Sequence, residues 1–388
     1  MRDNECESRS RISMEISLGK TLRRKLENLG IPPGCIGKPK FEFNIEMGAS
    51  PLCIQGKATI PIVFFVKKGQ PAEDINRERE NTEFMKNKDP EHFVTPITIP
   101  PEEDGLLVAE FFEGDTLHSI ILDESQSEEL KLDVAKEVYR ALFRLYEANM
   151  KDITVPVHKA HFKRIEGRLN DKINSDSSFS KYKFKSLVIN DIEIPSAYVL
   201  LNEAKKYRDQ LEARKATTVL GDSQPDNVLV KFAIEFRFVD LLNLDPEGDY
   251  SIDAGKNRHW LNGYIIIRKI RDDSSVDPKS YFKYNEYVDK DGKIIVNYDL
   301  KSRLPPIASK IYSVFLEQLK EFSERVGDDW WYERTLLGST RAWIGGIPYH
   351  QSQEIAVIML CEGLLDLAQC VEKCRKRLAP TDTKEVKT

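Results

Sequence analysis

Apolar residues at Leu18, Leu22, Leu26 and Leu29 recur at helical spacing, and Gly30 with Pro32-Pro33 supplies the stop. The period then changes. Phe41, Phe43, Ile45 and Met47 alternate with Glu42, Asn44 and Glu46, which predicts a half-buried strand turned by Gly48-Ala49-Ser50. A second strand is expected from about Ile60 to Val66, running into Lys67-Lys68-Gly69. In the helix that follows, Ile75, Thr82 and Met85 share a face and Glu78 belongs to it, whereas Glu80 points elsewhere. Leu106 to Val108 reads as another strand, leading into Glu110-Phe111-Phe112 and a turn at Gly114.

Beyond that turn the pattern is mainly helical. Ser125 and Glu128 form a capping box for a long helix with Leu130, Val134, Val138, Leu142 and Leu145 on one face. The polar, Ser- and Lys-rich stretch Lys151 to Asn190 is expected to be irregular, and Pro195 to begin a helix ending near Ala213. Val228 to Val230 and Phe236 to Val239 are two short strand-like runs. Asp272 to Arg303 is charged and reads as an insertion, with a tight turn at Asp289 to Gly292 before Ile294 to Val296. Helices resume from about Pro306 to Arg325 and from about Thr335 to Leu378, the latter interrupted between Arg341 and His350. The polar tail after Leu378 is expected to be disordered.

The predicted fold class is therefore α+β with two lobes. Residues 1–113 form the smaller, strand-rich lobe, 114–380 the larger, mainly helical one, and 381–388 a tail. A chain of 388 residues with 40% hydrophobic content can form two such cores, and 31% charged residues keep its surface polar. The net charge of −5 supplies no basic field, so neither nucleic acid nor an anionic membrane is an expected partner. No apolar run approaches the roughly 18 residues of a membrane span. The charged start Met1 to Glu5 lacks a signal core, which gives a cytoplasmic expectation. Cys361, Cys370 and Cys374 read as core thiols without metal partners, and His158 and His161 as surface residues.

The chemistry gathers in one stretch. Gly221-Asp222-Ser223-Gln224-Pro225-Asp226-Asn227 precedes the first of the two later strand runs, and Asp240 follows the second. A hairpin of these runs would carry Asn227 and Asp240 to one place, where an amide oxygen and a carboxylate suit Mg²⁺ held jointly with phosphates. Asp222 is left to accept a proton from an attacking hydroxyl.

This stretch resembles the catalytic and metal-binding loops of the aminoglycoside phosphotransferase and choline kinase group, small-molecule kinases with a protein-kinase-like fold. That group has a G-D-x-x-x-x-N loop, a strand ending in Asp, and a G-D-x-x-x-D segment. Here these correspond to Gly221 to Asn227, Asp240, and Gly248 to Asp253. The resemblance implies ATP as donor, with GTP open, and Mg²⁺ on Asn227 and Asp240. It implies that Lys67 contacts the phosphates and is fixed by Glu78. Lys67 and Lys68 face opposite ways, and the resemblance favours Lys67. It also implies that the backbone from Glu110 to Phe112 meets the adenine edge. Two features depart from the group. Leu220 stands where a bracing His is usual, and no clean Gly-rich phosphate loop appears, with Gly34 to Gly37 and Gly48 to Ser50 as candidates.

Two functions follow. The first is an ATP-dependent phosphotransferase acting on the hydroxyl of a small molecule: an aminoglycoside, a choline-like compound, a sugar or another alcohol. The alternative is a catalytically inactive kinase-like module binding a nucleotide or a protein. A protein kinase is disfavoured, because no activation segment lies between Asp240 and Asp253. Asp245, Glu247 and Asp249, with Asp328-Asp329-Trp330-Trp331, would suit a cationic acceptor. A neutral polyol fits the composition as well.

Overall fold

The computed structural model describes residues 40–44, 55–59, 64–68, 71–97, 106–231, 235–272, 277, 281–350 and 352–379, with a few positions between 20 and 36. Most of the predicted Leu18 to Leu29 helix, the glycines of both candidate phosphate loops and the tail lie outside these residues. The chain divides into two compact units: Met1–Gly114 with Phe236–Leu242, and Asp115–Glu235 with Asn243–Thr388.

The first unit is strand-bearing. β1 (Lys40–Asn44) pairs antiparallel with β2 (Gln55–Thr59), and β3 (Phe64–Lys68) with β4 (Leu106–Glu110), Lys67 opposite Leu107. Helix α1 (Ala72–Lys88) follows β3, with Glu73 and Asp74 in its first turn and Lys86 and Lys88 in its last, complementing the helix dipole. It buries Ile75, Glu78, Thr82 and Met85, the face the sequence predicts. The returning segment Phe236–Leu242 lies against Phe93. The amide of Phe238 donates to the carbonyl of His92 at 2.8 Å, and the rings of Phe93 and Phe238 are 5.6 Å apart.

The second unit is mainly helical. Its β5 (Asp115–Thr116) pairs with the later β9 (Val228–Lys231). Helix α2 (Glu128–Ala148) buries Val134, Val138, Leu142 and Leu145 against α6 (Pro306–Val326), where Phe143 stacks on Phe322 at 5.4 Å. Its N-cap is Ser127, which accepts from the amide of Leu130 at 3.2 Å, and not the predicted Ser125. Ser125 is already engaged, donating its amide and hydroxyl to Asp123.

Two stretches fold where irregular chain was expected. Lys151 to Asn190 contains α3 (Lys163–Ser175) and β6 (Leu187–Ile189), which turns through Asn190-Asp191 into β7 (Ile192–Ile194). Both turn residues have positive φ (45° and 68°), the signature of a two-residue hairpin matched to strand twist. The segment read as an insertion supplies β11 (Asn285–Val288) and β12 (Ile294–Asn297), and β12 lies parallel to β6 in a sheet ordered β11-β12-β6-β7. Helix α4 (Ala197–Lys205) follows, then β8 (Thr217–Val219), which pairs with β10 (Asp245–Gly248).

The site rests on a crossing of two helices. α5 (Ser251–His259) and α7 (Trp331–Gly346) meet backbone to backbone at Gly255 and Gly338. A Cβ on Gly255 would lie 2.1 Å from the carbonyl carbon of Gly338, and one on Gly338 2.1 Å from the carbonyl oxygen of Ser251. The interruption predicted from Arg341 begins only after Gly346, with Pro348 in the next short turn, so Arg341 is helical. Helix α8 (Gln353–Leu378) packs on α4 and α7 and buries the thiols of Cys361, Cys370 and Cys374. Among the described residues, no helix is long and apolar enough to cross a membrane.

Candidate active site

In the first unit, Lys67, Glu78 and Asp240 come together. The Lys67 Nζ lies 2.6 Å from Glu78 Oε2 and 3.1 Å from Asp240 Oδ1. Glu78 sits on the buried face of α1, and the Asn81 carboxamide, one turn on, donates to the Leu241 carbonyl at 2.7 Å, tying the returning segment to the helix. Asp240 has φ +59°, a left-handed backbone that is uncommon for a side-chain-bearing residue and that functional sites often retain. Burial works against the lysine's charge, but Glu78 and Asp240 outweigh it and raise its pKa. Glu110 accepts from the hydroxyl of Thr95 at 2.9 Å, and Phe112 is buried, with the Arg237 guanidinium 4.9 Å from its ring centre.

In the second unit the Gly221 to Asn227 loop leaves β8. Gly221 has φ +79°, and a Cβ there would come 2.2 Å from the Asn243 carbonyl oxygen, so only glycine fits. Asn227 donates its amide to the Asp222 carbonyl at 2.8 Å, closing the loop. The expected histidine position, Leu220, is buried, and the bracing comes from α5. Asp253 Oδ2 accepts from the Leu220 amide and from the Tyr146 hydroxyl, each at 2.8 Å. One turn on, Asn257 donates to the Ser223 hydroxyl at 2.9 Å. Asn257 is not among the residues the sequence motifs single out, although its four-residue spacing from Asp253 puts both on one helix face. Burial, with the charge of Asp222 adding to it, raises the Asp253 carboxyl to about 6.

Asp222 has a cationic neighbour that the sequence reading also missed: Lys256 Nζ lies 3.0 Å from its Oδ1. Both open onto a cleft of about 230 Å³, lined in addition by Arg164, Arg341, His259 and Tyr264.

Three of the acidic residues offered for a cationic acceptor, Glu247, Asp249 and Asp328, are paired with cations of this chain. Asp249 is fully buried, with Arg334 Nε at 3.0 Å; burial alone would raise its carboxyl, but Arg334 and His161 hold it well below the usual range. Arg334 also grips Asp328 at 2.5 Å, and Tyr250 donates to the same carboxylate. Glu247 pairs with Lys151 at 2.7 Å, and the Arg377 guanidinium lies 4.3 Å from the Trp330 ring centre. The cleft beside Trp330 and Asp328, about 270 Å³, does not include Asp222 among its lining residues. His161, expected at the surface, is fully buried: the wide helical turn His158–Phe162 points it at Ser251, 2.9 Å away, and Asp249.

Among the described residues, no group of three or more His, Cys, Asp or Glu side chains could hold a metal ion. A Mg²⁺ that keeps several waters and shares phosphates needs fewer protein ligands. Asp240 supplies a carboxylate 44% exposed, and Asn227 uses its amide nitrogen on the Asp222 carbonyl, which leaves its oxygen to coordinate. Both donors suit that ion.

No protein-family model matches the chain, and neither does any curated protein sequence. Among solved structures, the chain is similar to a protein assigned as an aminoglycoside phosphotransferase from Ralstonia eutropha (TM-score 0.46, 10% identity, 92% of this chain and 98% of that one). It is similar to ethanolamine kinase from Plasmodium vivax (TM-score 0.43, 12% identity, 85% and 81%). It is also similar to choline kinase from Cryptosporidium parvum (TM-score 0.41, 15% identity, 90% and 91%).

Proposed function

We propose that the protein is an ATP-dependent phosphotransferase acting on a hydroxyl of a small molecule. The observation that carries this is the Lys67–Glu78–Asp240 cluster, a cation held by one buried carboxylate beside a second, exposed one. Lys67 contacts the donor phosphates, Glu78 fixes Lys67, and the backbone from Glu110 to Phe112 meets the adenine edge. Asp240 and Asn227 hold Mg²⁺, which neutralises charge on the phosphates. ATP supplies the γ-phosphoryl group, which passes to the acceptor oxygen as the bond to the β–γ bridging oxygen breaks and ADP leaves with the electron pair. Asp222 orients the acceptor hydroxyl and takes its proton. Lys256 holds the Asp222 carboxylate in place. The inactive-module reading rests partly on Leu220, but Asp253 and Asn257 brace the loop without a histidine.

The test is Mg²⁺-dependent release of the ATP γ-phosphate, with thermal shift as the binding readout. Asp222→Asn is expected to lose about 10²-fold or more in turnover with an unchanged melting temperature. Lys67→Met and Asp240→Asn are expected to lose the shift that Mg²⁺-ATP gives the wild type. Parallel GTP titrations decide the donor. Wild-type protein that is unmoved by either nucleotide at millimolar concentration would overturn the reading.

A further inference from the structure

The cleft at Asp222 carries more positive charge than phosphoryl transfer from ATP accounts for. Arg164 reaches it from α3, Arg341 from α7 and Lys256 from α5. Lys256 is paired with Asp222. Among the described residues, neither Arg164 nor Arg341 has a carboxylate or carbonyl partner, and the Arg341 Nε is buried without a hydrogen bond. Four other arginines of this unit are matched to carboxylates: Arg334 to Asp249 and Asp328, Arg258 to Asp366, Arg303 to Asp299 and Arg325 to Glu147. A chain with net charge −5 does not lack carboxylates. Asp222, Asp245 and Asp253 lie near Arg341 without a hydrogen bond to it, so the two guanidinium groups keep donors on one cleft that a bound anion can take. Burial, and the neighbouring charge of Arg164, lower the Arg341 pKa to about 10.

The planar donor fork of arginine matches a carboxylate or phosphate through paired hydrogen bonds. On the same cleft, His259 has neither ring nitrogen bonded, and burial with the charge of Lys256 keeps it neutral, able to donate one hydrogen bond and accept another. Asp222, at the same cleft, is the group proposed to receive the hydroxyl proton. We propose that the acceptor is a small hydroxyl compound bearing an anionic group, a carboxylate or a phosphate, which Arg164 and Arg341 bind while its hydroxyl faces Asp222. This rests on the phosphotransferase reading for the transfer itself, but not for the binding of the anion. The acceptor oxygen bonds to the γ-phosphorus, the bond to ADP breaks, and the hydroxyl proton goes to Asp222.

The test uses the nucleotide-free full chain and four probes: D-glycerate, glycerol 3-phosphate, glycerol and choline, each by thermal shift and calorimetric titration. One or both anions are expected to bind saturably, and the two arms separate carboxylate from phosphate recognition. Glycerol and choline are expected to give no shift. Arg164→Gln, at an exposed position, is expected to weaken the anion at least about tenfold without altering the melting temperature of the free protein, and Arg341→Gln to weaken it further. Both variants are expected to keep the Mg²⁺-ATP shift. Binding of choline in place of the anions, or an anion affinity untouched by Arg164→Gln and Arg341→Gln, overturns the proposal. So does an equal loss of Mg²⁺-ATP and anion binding in these variants, which would assign the arginines to the donor. If the anions bind and lose affinity in the variants while Mg²⁺-ATP gives no shift to the wild type, the phosphotransferase reading fails and the anion site stands.

Discussion

A single methyl group tests the loop at Gly221. There is no room for it beside Asn243, and the backbone is left-handed, so Gly221→Ala is expected to cost at least about 1–3 kcal/mol and to displace Asp222. Gly167, inside α3 with open space around it, is the opposite case. Gly167→Ala should stabilise by about 0.5–1 kcal/mol, because alanine has less backbone freedom to lose. Urea midpoints check both, and a shift of the same sign in the two variants contradicts the argument. Asp253 adds a pH effect. Its pKa rises from 3.8 to about 6 on folding, so the folded state keeps a proton that the unfolded chain releases. Stability therefore falls as pH rises through that window, by on the order of 3 kcal/mol, and the loss is complete above it. Asp253→Asn should remove this slope; a wild-type profile that runs parallel to the variant's between pH about 4 and 6 rules the buried carboxyl out as its source.

At the scale of elements, what was legible depended on whether a segment's partner lies nearby. The face of α1 could be read from Ile75, Glu78, Thr82 and Met85, because one helix contains the whole pattern. β6 could not: it is only three residues long, and it sits between β7 across a two-residue turn and β12 far along the chain. The Asn190-Asp191 turn was the one local signal there. In the same way, Asp222, Asn227 and Asp240 were visible as loop chemistry, whereas Lys256, Arg164 and Arg341 are ordinary helix residues until packing sets them around one cleft. The crossing of α5 and α7 does that packing. Gly255→Ala or Gly338→Ala is expected to wedge the helices apart at a cost of about 1–3 kcal/mol, more than the helix propensity of alanine returns. Calorimetry checks the sign, and a raised melting temperature would show that the helices part freely.

For the molecule as a whole, the G-D-x-x-x-D segment contributes stability. Asp249 and Asp328 share Arg334 with all three groups largely out of solvent. Replacing such a set with apolar groups of similar shape is often tolerated, but removing one member strands a charge. Arg334→Met is expected to cost about 3–5 kcal/mol by denaturant unfolding, and Asp249→Asn with Arg334→Met less than the sum of the two single changes. Additive costs would mean that the carboxylate and guanidinium act independently. Tyr250 and His161 belong to the same network.

The contact of Gly255 with Gly338 has a further consequence. With no side chains between the helices at that point, the closest approach of α5, which anchors the Asp222 loop, to α7, which carries Arg341, is set by the radii of backbone atoms. For the proposed hydroxy-acid acceptor, such a cleft would gauge length. Across a series of ω-hydroxy acids it should have a sharp optimum, falling away when one methylene is added or removed, where a pocket walled by flexible side chains would respond gradually.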